Sequence, residues 1–336
     1  MSMKKKVKYL KGGEILSEPV YKTENEILIE SNTVLKQEYL KLLFDFGIST
    51  VSVQDQYEPY ERPHLIMQED KKKEYVEKIR RILEGHIYRD IYHGNDSLRQ
   101  VTELSKQLIM DLPDMKERVV FDIEPHDGNL YEHTFMVTAL SICVGKRLEL
   151  PEDKIIEIGQ GCLLHDLGLR YVTVPYKDFR KEEHVSAEIF ELKKHTILGY
   201  SALESAVWLS DTAKQMVLSH HEKTDGSGYP LKQRSKEIEC LIIQVCDTFD
   251  CLISGMECVA QDIGEAIHLI DSNCGTLYDA RVAEAFCGMV AHFPTGTIIN
   301  HGDKTGVVTE QTNRSDCPVI KFLDEIEEED GNSEID

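Results

Sequence analysis

The residues best suited to chemistry are histidines and aspartates beside apolar helical runs in the middle of the chain. His165 and Asp166 follow the apolar run of one predicted helix, His133 opens another, and Asp247 lies in LIIQVCDTFDCLIS, where nearly every neighbour is apolar. A carboxylate in such a segment is costly to bury without partners. These four side chains offer two imidazoles and two carboxylates, a ligand set that suits Fe, Mn or Zn.

A second group of histidines predicts a second ion. His195 begins a predicted helix, and His220 and His221 end another. If Asp166 bridges, these three histidines complete the ligands of a neighbouring ion. Two cations about 3.5–4 Å apart stabilise the attacking and leaving oxygens of an in-line phosphoryl displacement, with a bridging hydroxide as the nucleophile. Any one histidine is more often an ordinary core or surface residue, so the prediction depends on the whole set.

Helices must position these side chains, because helical periodicity dominates residues 115–290. Val137, Leu140, Val144 and Leu148 fall on one face of a helix that starts near His133. We therefore expect a mainly α-helical domain whose core surrounds the candidate ligands. Gly168, shortly after Asp166, is a candidate C-cap for the preceding helix.

Smaller segments flank this domain on both sides. Residues 1–60 read as a small α/β module, with strands at 26–30 and 49–53 around a helix that ends near Gly47. Residues 61–114 read as a linker followed by helices, because apolar residues recur every three or four positions. Residues 291–322 read as a short β extension, and the acidic segment 323–336 as a solvated, disordered tail.

The composition bounds the function class. The chain has 38 Lys and Arg against 60 Asp and Glu, and the net charge of −22 argues against a surface that tracks long nucleic acid. A small anionic ligand remains compatible where metal cations supply the counter-charge. No apolar run approaches the roughly 20 residues that span a bilayer. We expect a cytoplasmic protein whose nine cysteines are reduced.

Four segments together resemble the HD-GYP family of the HD phosphohydrolase superfamily. They are LLHDLG, HTILGY, HHEKTDGSGYP and CDTFDCL. The resemblance implies an HD-domain helical bundle that hydrolyses cyclic di-GMP, with His165 and Asp166 at the catalytic centre. It implies metal ligands at His133, His165, Asp166, His195, His220, His221 and Asp247. It also implies that Gly228, Tyr229 and Pro230 close one side of the substrate site, with Asp225 of the same motif nearby.

Three departures from the family pattern qualify what the resemblance implies. Asn129 stands where members with three metals have a glutamate, so we expect two divalent ions per chain, iron or manganese in preference to zinc, and linear pGpG as the product. Leu169 replaces the usual lysine after the HD pair, and Arg170 or Lys177 is the candidate substitute. The segment SGMECVAQ, residues 254–261, replaces a basic and aromatic run.

Two alternatives stay open. The chain could be a catalytically weak cyclic-dinucleotide receptor, or an HD-type phosphohydrolase with a different nucleotide substrate. The complete ligand set favours an enzyme, whereas the missing basic residues favour one of the alternatives. The N-terminal module is a candidate surface for a homodimer or a signalling partner.

Overall fold

The computed structural model describes residues 2–23, 26–54, 62–85, 96–115, 119–126, 128–177, 179, 183–302 and 304–322. The chain divides into two compact units. The first consists of Met1–His64, Val120–Asp127 and Phe293–Asp336, and the second of Leu65–Val119 and Gly128–His292. The predicted acidic tail, 323–336, lies outside the described residues, as do residues 61 and 86–95 of the predicted segment 61–114.

The first unit begins with a small α/β arrangement. Its elements are β1 (Ser2–Lys6), β2 (Val20–Thr23), β3 (Glu26–Ile29), α1 (Gln37–Asp45) and β4 (Thr50–Gln54). β1 pairs antiparallel with β4, and β2 pairs antiparallel with β3. Leu16, Leu35 and Leu43 are fully buried in its apolar core, and Gly47 follows α1 with a φ of 69°. The two strands and the helix expected from the sequence are present, and β1 and β2 add to them.

The first unit also contains a three-stranded antiparallel sheet in the order β5 (Ile298–His301), β6 (Lys304–Glu310), β7 (Val319–Phe322). The buried carboxylate of Asp122 joins this segment to others of the unit. It accepts hydrogen bonds from the backbone N–H of His64, the backbone N–H and hydroxyl of Thr295, and the side-chain amide of Gln311. Distant parts of the sequence therefore meet at one carboxylate.

The second unit is helical, which confirms the predicted mainly α fold. Its helices are α2 (Glu69–Gly85), α3 (Asp96–Asp111), α4 (Leu130–Arg147), α5 (Glu152–Leu164), α6 (Ser186–Lys193), α7 (His195–Leu203), α8 (Asp211–Ser219), α9 (Ile238–Ser254), α10 (Ile263–Ser272) and α11 (Ala280–Cys287). A 3₁₀ helix, Leu167–Tyr171, follows α5. None of the helices in the described part of the chain combines the length and apolar character needed to cross a membrane. The nine cysteines are all free thiols.

α4 forms the centre of this unit. Its side chains are buried without interruption from His133 to Gly145, and it packs against α2, α5, α9 and α11. The helices predicted within 61–114 belong to the same unit, since α2 packs on α4 and α3 packs on α5. The ammonium of Lys146 donates to the carbonyls of Ile109, Leu112 and Pro113, and so satisfies acceptors at the end of α3.

Gly168 serves close packing, not the predicted C-cap. It lies inside the 3₁₀ helix, and α5 ends earlier, with His165 as its cap. A Cβ at Gly168 would overlap the carbonyl oxygen of His195 and lie 2.8 Å from the backbone nitrogen of Gly199. The absence of a side chain therefore lets the segment after Asp166 pack directly on the backbone of α7.

Replacing Gly168 with alanine should destabilise the helical unit, because the new methyl group meets backbone that cannot rotate away. We expect a loss of about 2–3 kcal/mol in the free energy of unfolding, measured by urea denaturation. Gly264→Ala is the matched control, since a Cβ there makes only ordinary contacts near the start of α10, and its stability should be equal or slightly higher. Equal stability of both variants would contradict the close-packing role of Gly168.

Candidate metal centre

The predicted ligands come from separate helices and meet in the helical unit. His133 lies in the first turn of α4, His165 and Asp166 directly follow α5, and His195 is the first residue of α7. His220 and His221 directly follow α8, and Asp247 lies in the middle of α9. Most of these residues lie at or next to a helix end. The helix ends approach one another, and this brings the side chains together.

The ligands form two groups of three. Within each group, one ligand atom of every member lies within 4.8 Å of the others; the groups are His133, His165 and Asp247, and His195, His220 and His221. Asp166 faces both groups with different oxygens. Its Oδ2 lies 3.4 Å from Nε2 of His133 and 3.2 Å from Nε2 of His165, and its Oδ1 lies 3.5 Å from Nε2 of both His195 and His220.

Backbone carbonyls set the tautomers of three histidines. Nδ1 of His165, His195 and His220 lies 2.7, 2.8 and 2.9 Å from the carbonyl oxygen three residues earlier in each case. A carbonyl only accepts, so each Nδ1 must carry the hydrogen and donate it. Whenever these rings are neutral, their Nε2 lone pairs therefore point into the centre, and Nε2 of His195 lies only 3.1 Å from Nε2 of His220.

A carboxylate sets the orientation of the remaining buried histidine. Nδ1 of His133 lies 2.7 Å from Oδ2 of Asp250, which is fully buried on α9 one helical turn after Asp247. A carboxylate that accepts from a ligand's second nitrogen fixes the ring and raises its basicity. Sequence reasoning did not name Asp250 as a site residue, although its spacing of three from Asp247 places both on one helix face.

The chemistry of these residues fits metal ions. Asp166 Oδ1, Asp247 Oδ2, His221 Nε2 and Glu257 Oε1 are buried polar atoms without a hydrogen-bond partner. Unpaired buried polar atoms are rare, and these four fall in one place. Two ligands about 2.1 Å from one ion at a tetrahedral angle lie about 3.4 Å apart. The nitrogen–oxygen distances in the cluster are 3.2–3.6 Å, as for His165 Nε2 and Asp166 Oδ2 at 3.2 Å.

Electrostatics separates the two groups of histidines. At His133 burial alone would lower the pKa, but Asp166, Asp247 and Asp250 outweigh burial and raise that pKa well above 6.5. Burial is likewise outweighed by Asp166 and Asp247 at His165, whose pKa rises to about 9. At His195 burial prevails and lowers the pKa to about 4.

The two central carboxyl groups are held ionised. Burial alone would raise the pKa of Asp166, but His165 and His133 outweigh burial and hold that pKa well below 3.8. At Asp247, His221 and His133 outweigh burial in the same way, and the carboxyl pKa again lies well below 3.8. Both carboxylates are therefore ionised and available as ligands at neutral pH.

The loop after His221 covers one side of the centre. The Tyr229 ring lies 4.7 Å from the His221 ring, and a Cβ at Gly228 would overlap the backbone of residues 221–223. Glu222, which is buried, is not part of either ligand group. Its carboxylate accepts hydrogen bonds from the backbone N–H groups of Leu231, Lys232 and Gln233, and it closes the loop.

The other substrate contacts predicted from the sequence lie in different settings. Asp225 is exposed, and its Oδ1 accepts from the backbone N–H of Ser227 in a turn. Pro230 follows Tyr229 through a cis peptide bond. The guanidinium of Arg170 donates to the carbonyl of Leu83 at the end of α2, and the side chain of Lys177 is exposed.

The three departures from the family pattern have structural explanations. The Asn129 side chain caps α4 by accepting from the backbone N–H groups of Tyr131 and Glu132. Leu169 is buried in an apolar cluster that also contains Met256. Within 254–261, Glu257 is adjacent to the centre, at 3.5 Å from Nε2 of His221. Sequence reasoning missed Glu257, because no spacing or pattern distinguishes one glutamate in a loop.

A family model described as an HD domain matches residues 98–282, more than half of the chain. The chain belongs to the HD domain family. This confirms the resemblance drawn from the sequence motifs. The match extends from α3 to α11 and so includes every predicted metal ligand.

The HD domain is also similar to curated proteins. It is 31% identical over 214 residues to a cyclic di-GMP phosphodiesterase of Thermotoga maritima, covering 60% of this chain and 57% of that protein. It is 30% identical over 197 residues to one of Pseudomonas aeruginosa, covering 57% of this chain and 47% of that protein. A 3′3′-cGAMP-specific phosphodiesterase of Vibrio cholerae is 26% identical over 185 residues, covering 53% of this chain and 34% of that protein. The chain thus spans about half the length, or less, of these relatives.

Removing the partner of His133 should weaken one ion selectively. In Asp250→Asn the amide can donate to the imidazole, which no longer favours a hydrogen on Nδ1 and a lone pair on Nε2. We expect the apparent dissociation constant of the ion at His133, His165 and Asp247 to rise about 10–100-fold in a chelator competition titration. Asp262→Asn is the control, because Asn also caps a helix and Asp262 caps α10. Unchanged affinity in Asp250→Asn would contradict the orienting role.

Metal uptake should compete with protons at His165. Its pKa of about 9 in the metal-free protein lies above the ordinary 6.5, so that at neutral pH a proton occupies the nitrogen that an ion needs. Apparent metal affinity should rise by up to about tenfold per pH unit for each displaced proton, and level off above about pH 9.

As the pH rises, the free energy of unfolding of the metal-free protein should fall, whereas its metal affinity should rise. The contribution of His165 to the free energy of unfolding is fully present below pH 6.5 and is lost as the pH rises through about 9.

Metal titrations in two buffers of different ionisation enthalpy measure the protons that metal binding releases. Affinity that is constant from pH 6 to 9 would show that no proton is displaced.

Proposed function

We propose that this chain is a metal-dependent phosphodiesterase that hydrolyses one phosphodiester bond of cyclic di-GMP and releases linear pGpG. One observation carries the proposal: two groups of three ligands share Asp166, whose two oxygens face one group each. Such an arrangement suits two neighbouring cations acting on one phosphate. The names of the curated relatives supply the substrate class.

Each ion has its own set of residues in this proposal. His133, His165 and Asp247 hold one divalent ion, and His195, His220 and His221 hold the other, with Asp166 between them. Iron or manganese is favoured and zinc is the alternative, because imidazole and carboxylate ligands suit all three. When bound, such ions supply Lewis acidity at phosphorus and lower the pKa of water. Asn129 supports two ions over three, since its amide is occupied in capping α4.

The protein side chains orient the substrate beside this centre. The Tyr229 ring stands over His221, and the ammonium of Lys193 lies 4.7 Å from the centroid of that ring. Lys193 lies two residues before His195, the first residue of α7, so it brings a positive charge close to the histidines. We assign it the phosphate contact that Leu169 cannot make, because Leu169 is buried in an apolar cluster. Gly228, Tyr229 and Pro230 form the wall, while Arg170, Lys177 and Asp225 remain candidates for outer contacts.

A different nucleotide substrate is the second candidate function. Leu169 and Met256 are both buried in the apolar cluster, and Glu257 places a carboxyl group instead of a basic side chain close to the site. The absence of the usual basic side chains would weaken charge-assisted contacts to phosphate. This absence favours a nucleotide that depends less on such contacts, or a receptor with slow turnover. One relative is named as specific for 3′3′-cGAMP.

A hydrolysis assay separates these functions. Metal-reconstituted protein should convert cyclic di-GMP to pGpG and should leave pGpG largely intact, with cyclic GMP-AMP compared in parallel and products resolved by chromatography. Asp166→Asn should lower the turnover of cyclic di-GMP by at least about a hundredfold, because both ions lose a shared ligand.

Matched outcomes identify the alternatives. Faster cleavage of cyclic GMP-AMP than of cyclic di-GMP would reassign the substrate. Tight binding of cyclic di-GMP without turnover, by protein shown to contain metal, would make the chain a receptor. Turnover that survives in Asp166→Asn would reject the proposed centre.

A further inference from the structure

Glu257 carries a largely buried carboxyl group beside the centre, and the two ligand groups do not include it. Only 13% of its side chain is exposed. Its Oε1 lies 3.6 Å from Nδ1 of His195, and its Oε2 lies 3.5 Å from Nε2 of His221. Both distances are too long for hydrogen bonds, and Oε1 has no hydrogen-bond partner among the described residues.

Protein charges do not account for the position of Glu257. Among the ion pairs of the described residues, those of Glu257 involve histidine nitrogens, and none involves a lysine or an arginine. Asp166 Oδ1 and Asp247 Oδ2 lie in the same cluster and also lack hydrogen-bond partners. Three ionised carboxylates gathered here repel one another, and in the metal-free protein burial, Asp166 and Asp247 raise the pKa of Glu257 well above 4.5. Cations between the three groups would remove that repulsion.

Its spacing to neighbouring ligands is that of a shared ion. Ligand atoms of Glu257, Asp166 and His195 all lie within 4.8 Å of one another. The 3.5 Å between Glu257 Oε2 and His221 Nε2 is close to the roughly 3.4 Å expected for two ligands of one tetrahedral ion. His221 Nε2 has no hydrogen-bond partner, so a nitrogen and a carboxylate are both left facing a common space.

The backbone holds Glu257 in this position at some cost. Glu257 has a φ of 59°, in the left-handed region that residues with a Cβ rarely adopt. Its N–H donates to the carbonyl of Tyr176 at 2.5 Å, and Met256 forms a β-bridge with Lys177. On the other side, a Cβ at Gly128 would lie only 3.0 Å from the backbone nitrogen of Met256. Backbone strain of this kind, when surrounding contacts maintain it, is more common at functional sites than elsewhere.

We propose that Glu257 is a protein ligand of the ion held by His195, His220 and His221. This inference rests on the proposed metal centre and adds a fifth residue to one of its two ions, after the three histidines and the shared Asp166. The other ligands of that ion lie at helix ends, whereas Glu257 lies on the loop after α9. It is therefore the ligand that a substrate oxygen can replace without moving a helix.

Metal binding by Glu257→Gln tests the proposal, because the variant keeps the shape and removes the charge. Co²⁺ titration should show one ion bound with wild-type affinity and one bound at least about tenfold more weakly. The visible absorption of the Co²⁺-loaded protein should change as well, since it depends on ligand number and geometry. Glu257→Asp, which keeps the charge, should recover part of the affinity.

Cys258→Ala is the matched control from the same loop. The Cys258 thiol donates to the carbonyl of Cys251 and offers no carboxylate, so this variant should bind both ions as the wild type does. Wild-type protein that binds two ions, together with unchanged affinities and spectrum in Glu257→Gln, would overturn the role of Glu257 and leave the centre intact. Wild-type protein that binds no ion would reject both the centre and the proposed ligand.

Discussion

The structure of the helical unit depends on the burial of carboxylates and imidazole lone pairs at one point. Asp166 and Asp247 are almost completely buried, and Nε2 lone pairs of His195 and His220 face each other at 3.1 Å. Such groups repel one another, or lose hydration without compensation, unless positive charges lie between them. The arrangement therefore suits a binding site for positive ions. Before an ion binds, the packing of the surrounding helices must offset the cost of burying these groups together.

Local backbone geometry supplies much of that preorganisation. His165, His195 and His220 each donate from Nδ1 to a carbonyl three residues earlier, so each ring is oriented by the turn that immediately precedes it. His133 uses Asp250 from a different helix instead. Three rings are thus set by short-range structure, which forms whenever the helix forms, and one ring depends on tertiary packing. The close contact between Gly168 and the start of α7 then fixes how near these turns approach.

Much of the site could be predicted because its ligands occur in short motifs on recognisable helices. The HD pair, the adjacent histidines and the aspartate of an apolar helix each have a local signal, and so do the periodic helices that carry them. Glu257 has no such signal, since its role depends on a loop conformation and on distant residues. Gly168 was expected to cap a helix because glycine is common there, but its actual neighbours come from a helix 27 residues later in the sequence. Tertiary proximity of this kind is not encoded in any spacing.

Glu222 ties the end of the neighbouring loop back to its start. The segment leaves the ligand pair at His221 and returns to Glu222, whose carboxylate receives three successive N–H groups. Tyr229 also donates its N–H to the carbonyl of His221, so the loop is tied back to the residues from which it starts. Its exposed tip, with Asp225 and Ser227, lies outside these ties. A change of side chain at Asp225 or Ser227 therefore leaves these hydrogen bonds intact, and the tyrosine keeps its place over the histidine.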